Sequence, residues 1–130
     1  MNSERPDLEP HIKAMLDGLL KVTDGKDIDA IIYKFEPHLD EWIRTYGEGQ
    51  INALQAEMLQ HMLTQEFNSF AGTPHKKTSV HHPIDQFIVV CDETINPPDV
   101  VNANNFRVLI DFSLLKSEFP LFRIQGWRHR

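Results

Sequence analysis

Apolar residues recur at helical spacing through the first half of the chain, and the spacing changes character near residue 71. Leu8, Ile12, Met15, Leu16 and Leu19 repeat at intervals of three and four, which places them on one face of a helix. Asp7 stands before them as a candidate N-cap. Thr23-Asp24-Gly25 is expected to end that helix, because glycine tolerates the left-handed backbone of a helix C-terminus. Ile28, Ile31, Ile32 and Phe35 predict a second short helix, although Ala30-Ile31-Ile32-Tyr33-Lys34-Phe35 is also rich in β-formers. Pro37 marks a new helix start, since its fixed φ and missing N–H cost least in a first turn. Leu39, Trp42, Ile43 and Tyr46 share a face behind it, and Gly47-Glu48-Gly49 breaks the segment. The longest helical pattern follows, with Ile51, Leu54, Met58, Leu59, Met62, Leu63, Phe67 and Phe70 on the buried stripe and Gln55, Glu57, Gln60, Gln65 and Glu66 wetted.

Residues 71–85 carry Gly72, Pro74 and Pro83 among polar residues and predict a long exposed loop. Gln86-Phe87-Ile88-Val89-Val90-Cys91 is an apolar run of β-formers, expected as a strand buried on both faces. Asn96-Pro97-Pro98-Asp99 is a turn, because adjacent prolines remove two ladder donors. Phe106, Val108, Ile110 and Phe112 alternate with Arg107, Leu109, Asp111 and Ser113, the pattern of a strand with one face on a core. A last extended piece, Phe119-Pro120-Leu121-Phe122-Arg123-Ile124, ends at Gly126 before a polar tail, residues 127–130. The expected fold is a single α+β domain over 1–130, with helices (1–70) packed on one face of a small, mostly antiparallel sheet (86–126).

Composition narrows the classes. At 130 residues, with 41% hydrophobic and 25% charged residues, the chain fits one ordinary globular domain. No apolar run reaches the roughly 20 residues that span a bilayer, and the polar start Met1-Asn2-Ser3-Glu4-Arg5-Pro6-Asp7 has no signal-peptide core. A cytoplasmic site of synthesis is therefore expected. The single Cys91 rules out an internal disulfide. Net charge is −6, unevenly spread: residues 1–70 hold 13 acids and 6 bases, residues 71–130 hold 6 and 7. That balance gives phosphate-backbone binding no bulk support. It suits charge-complementary neighbours, and a solvated helical face explains it equally well.

Candidate chemistry is sparse. His75, His81, His82 and Asp85 are the nearest approach to a metal set, yet adjacent histidines in extended chain point to opposite sides. Cys91 ends an apolar strand and is followed by Asp92 and Glu93, which disfavour a thiolate and read better as strand-end capping than as an acid–base or cation pair. Gly47-Glu48-Gly49 lacks the remaining residues of a phosphate loop. Arg123, Arg128, His129 and Arg130 form a small basic tail whose one stacking residue is Trp127, which favours an acidic protein contact over nucleic acid. No enzyme activity, cofactor, metal or small-molecule substrate is expected.

Taken together, three segments resemble the C-terminal domain of contractile-tail sheath proteins of bacteriophages and related injection machines. They are Phe87–Val101, with its Cys91-Asp92-Glu93-Thr94-Ile95-Asn96-Pro97-Pro98-Asp99 core, Asn105–Asp111, and Ser117–Ile124. The resemblance covers about forty residues well; Phe35-Glu36-Pro37 and the long helix match more loosely. Ile95 stands where the family tends to place asparagine, and the longer outer domains of such sheaths have no counterpart here. The resemblance implies a non-enzymatic virion structural protein of the tail. Its neighbours would be copies of itself or sheath subunits, and tail tube or baseplate proteins. Assembly would proceed by strand exchange and interface packing. Strand addition would fall to Phe119, Leu121, Phe122, Arg123 and Ile124, with Asp92, Glu93 and Arg107 in intersubunit ion pairs and Trp127 and Arg128 in tail contacts. Phe119, Leu121, Phe122 and Ile124 read as apolar on both faces, so the segment is either central in its own sheet or docked into another copy. The alternative is a small baseplate, neck or adaptor protein that binds partners through the 51–70 helix.

Overall fold

In the computed structural model, residues 7–46, 53–71, 83–97, 105–115, 117 and 119–128 are described. Three helices, α1 (Glu9–Leu20), α2 (Gly25–Tyr46) and α3 (Ala53–Asn68), precede three strands, β1 (Ile84–Val90), β2 (Phe106–Leu114) and β3 (Phe122–Arg128). The strands form one antiparallel sheet in the order β1-β2-β3, and the helices cover one of its faces, so the fold is α+β as the patterning implies.

The first half departs from its reading at two joints. Leu8, not Asp7, takes the N-cap position of α1, although Asp7 just ahead of it accepts the Glu9 N–H at 3.1 Å. Gly25, however, begins α2 instead of ending α1: α1 closes at Lys21 with ordinary right-handed backbone, and Asp24 accepts the Lys26 N–H as a cap for α2. The second joint is Pro37, which lies inside the 22-residue α2 and does not start a helix of its own. The buried positions Ile32, Phe35, Leu39, Trp42 and Ile43 keep one helical register straight through the proline. Interior proline costs about 3 kcal/mol, whereas burying each large apolar side chain contributes roughly 1.5–3 kcal/mol, so a continuous face outweighs the break. The defect also faces water: Pro37 is exposed, and Tyr33, whose carbonyl loses its partner, is 75% exposed.

On α3 the buried stripe is Ala56, Leu59, Leu63 and Phe67, while Leu54 and Met58, expected inside, are 68% and 56% exposed. Ile51 and most of the 71–85 loop fall outside the described residues, although Pro83 and Ile84 already belong to the folded sheet: Ile84 N–H donates to the Phe70 carbonyl and Leu115 N–H to the Pro83 carbonyl.

β2 is the central strand and alternates as predicted, with Phe106, Val108, Ile110, Phe112 and Leu114 buried. β1 is an edge strand with one face open, not buried on both, since Ile88 is 58% exposed. The closing strand is shifted toward the C-terminus: it begins at Phe122, passes through Gly126 and includes Trp127 and Arg128, so these two are ladder residues and not a polar tail. Within it Phe122, Ile124 and Gly126 face the helices while Arg123 and Gln125 face water, which is one-sided alternation. One cluster of buried side chains draws on all six elements, with Phe67 meeting Phe35, Phe87 and Phe112 at centroid distances of 6.2–6.5 Å.

Candidate functional site

The residues that carry the sheath resemblance build the junction after β1. Cys91 is fully buried; its N–H donates to Gln60 Oε1 at 2.9 Å and its thiol to the Ala56 carbonyl at 3.3 Å, which ties the end of β1 to α3. Burial, helped by Asp92, pushes the thiol up to about 12, so sulfur is protonated and non-nucleophilic at neutral pH. Asp92 accepts both the N–H and the hydroxyl of Thr94, bonds that hold its carboxyl below the ordinary carboxylate range. Glu93 is exposed in the same turn.

Asn96 completes the junction and is a residue that sequence reasoning did not single out. It is 4% exposed, and its Nδ2 donates to the carbonyls of Cys91 (3.2 Å) and Arg107 (2.8 Å) while its Oδ1 accepts the Arg107 N–H (2.7 Å). The carboxamide thereby reproduces the donor–acceptor pair that a strand residue would offer to β2 where β1 has ended. An asparagine beside two prolines reads as turn chemistry, and only the approach of Arg107 reveals the second role.

The residues expected to mediate strand addition are not brought together as an open edge. Phe122 and Ile124 are core residues, 2% and 0% exposed, with the Phe122 ring stacked on Phe112 at 5.3 Å. Phe119 is half-buried against Phe122, and Leu121 precedes the strand with 56% exposure. The two-sided apolarity read in this segment arises because Phe119 and Leu121 lie outside the ladder. β3 is an edge strand, yet two of its outward N–H groups are occupied: Gln125 donates to Glu36 Oε2 at 3.0 Å and Trp127 to Asp40 Oδ1 at 2.7 Å. Glu36 and Asp40 are one turn apart on α2 and were indistinguishable in sequence from solvated charges.

Of the residues expected in intersubunit ion pairs, Asp92 is engaged by Thr94 and Arg107 by the Trp127 ring, while Glu93 is exposed. Arg123 makes a two-pronged bond to Asp111, its cross-strand partner, at 2.7 and 2.9 Å, and this bond raises the guanidinium further above its ordinary value. Arg107 lies over the ring of its cross-strand partner Trp127, 4.5 Å from the centroid. Arg128 pairs by its backbone with Phe106; its side chain is outside the described residues, as are His75, His81, His82, His129, Arg130 and Gly47-Glu48-Gly49.

Two further features were missed. Leu54 and Met58 rise beside a shallow apolar groove of about 260 Å³ that includes Tyr46 and Met62. At the other end of α3, partial burial and the nearby Asp7 and Glu9 push the Glu66 carboxyl upward. Among the described residues no three His, Cys, Asp or Glu side chains converge to hold a metal ion, and no helix is long and apolar enough to cross a membrane.

No family model matches the chain, and neither a curated protein nor a solved structure matches it.

Proposed function

We propose that this chain is a non-enzymatic structural subunit of a contractile tail, a sheath-like component of a bacteriophage virion assembled after synthesis in the host cytoplasm. The observation that carries the reading is the junction after β1. Cys91, Asp92, Thr94 and Asn96, which carry the resemblance to sheath C-terminal domains, each make a fold-building bond there. These bonds support a structural role for the motif, and the protonated Cys91 thiol is consistent with that. Neighbouring subunits are held in this reading chiefly by side-chain packing, because strand addition to β3 requires Glu36 and Asp40 to release Gln125 and Trp127.

A second reading, a baseplate, neck or adaptor protein that docks through α3, is favoured by one specific observation: Leu54 and Met58 are more than half exposed beside Tyr46 and Met62.

Purified contractile-tailed particles from the source, labelled with antibodies to this chain and imaged by electron microscopy, test both. Label along the tail supports a sheath-like component, and label confined to one end supports the baseplate, neck or adaptor reading. Particles that lack the chain overturn the assignment to a tail.

A further inference from the structure

α1 and α2 meet through a pair of histidines. The rings of His11 and His38 stack with centroids 3.6 Å apart and planes 12° from parallel. They stand at a groove of about 300 Å³ between the two helices, with Met15, Gly18, Ile31 and Lys34 along its walls. Parallel stacked rings direct their nitrogen lone pairs side by side and not toward one point, so the pair is poorly built to chelate a metal. Its geometry suits neutral imidazoles, or one imidazolium on a neutral ring.

We propose that the His11–His38 stack is a pH-sensitive latch between α1 and α2, closed while at most one ring carries a proton and released when both do. The charged groups around it set the order of events. Asp7, ahead of α1, and Glu41, on α2, lie near enough to His11 to favour a first proton. Lys34 is the other basic side chain on the groove wall. Two imidazolium rings in contact lie well inside a Debye length of about 8 Å at physiological salt, so ions screen their repulsion poorly. Partial burial, followed by the charge of His38, already holds His11 below its ordinary value. An unfolded or undocked α1 therefore binds more protons than the docked one. The sign follows: docking is fully supported above about pH 6.5 and weakens as pH falls below it. The buried face of α1, Ile12, Met15, Leu16 and Leu19, is what the latch protects.

The inference is independent of the tail assignment. It is tested by following the histidine ring signals of the full chain by NMR between pH 8 and 4.5, together with amide exchange of α1 and β2. His11 should take up its proton below the ordinary imidazole range, and its titration should move back toward that range when His38 is replaced. Each unit by which that titration is lowered corresponds to roughly tenfold, so α1 amides should exchange faster at pH 5 than at pH 7 after correction for intrinsic rates, with β2 unchanged. His11→Gln should abolish the selective acceleration, and His38→Gln, which leaves only the partial burial of His11, should reduce it. A His11 titration at its ordinary value that His38→Gln does not move, or equal acceleration in α1 and β2, overturns the latch. The wild-type titration decides the matter alone if neither variant folds.

Discussion

Asp40 on α2 accepts the backbone N–H of Trp127 on β3 at 2.7 Å, and Glu36, one turn earlier, accepts that of Gln125 at 3.0 Å. Alternate N–H groups along a strand edge repeat at about 6.8 Å, and side chains one helical turn apart at roughly 5–6 Å, so two carboxylates on one helix can cap two successive outward donors. A bare edge invites another chain to pair with it, and here the invitation is withdrawn by the protein's own helix.

Asp40→Ala should therefore cost about 1–2 kcal/mol, since a partly buried N–H loses a charged acceptor. Glu36→Ala, at an exposed bond, should cost less. Urea denaturation measures both. The double variant should also self-associate at concentrations where the wild type does not, as read by light scattering; an uncapped edge that stays monomeric argues against the capping role.

Gly126 permits the close approach of α2 that makes these bonds possible. A Cβ there would lie 2.7 Å from Leu39 Cδ2, 2.8 Å from Ile43 Cδ1 and 2.9 Å from Leu39 Cγ, and both of those side chains are fully buried. Gly126→Ala should destabilise by about 1–3 kcal/mol through overpacking. Gly25→Ala, with nothing within 4 Å of the added atom, is the matched control and should be neutral or stabilising by up to about 1 kcal/mol. Thermal unfolding of the pair gives the comparison.

Asn96→Ala should rank among the most damaging polar substitutions, with a loss of about 2–4 kcal/mol, because it strands the Arg107 N–H and two carbonyls away from water. Asn96→Asp keeps an acceptor for Arg107 but cannot donate to either carbonyl while ionised. It should be severely destabilised at neutral pH and partly recover in mild acid, where a protonated carboxyl regains one donor. Denaturant midpoints at pH 7 and pH 5 distinguish the two variants.

Cys91 should be inert in the native chain. With the thiol at about 12, fully buried and bonded to Ala56, iodoacetamide should modify it only through unfolding. The labelling rate should fall in proportion when the fold is stabilised, and rise with urea in step with the unfolded fraction. Rapid modification at pH 7 without denaturant contradicts this burial.

Much of the architecture is legible in single positions. The strict alternation from Phe106 to Phe112 defines β2, and the spacing of Leu8, Ile12, Met15 and Leu19 defines the inner face of α1, because a lone element shows its buried side as a period. Pro37 misleads because local propensity favours a break, while the value of one continuous buried face from Ile32 to Ile43 is visible only when the sheet lies beneath it. Leu54 and Met58 mislead for a related reason: α3 is apolar over more than one stripe, and packing selects which stripe is buried.

By itself the sequence determines the α+β class, the helical first half and the alternating strand from Phe106 to Phe112, since each is written in composition or in a local repeat. The tertiary structure alone decides that β3 runs on through Gly126, that Glu36 and Asp40 close its edge, that Asn96 grips Arg107, and that His11 lies on His38. Those are meetings between residues far apart in the chain. Their free energy depends on the distance and dielectric between side chains, quantities that no one-dimensional spacing contains.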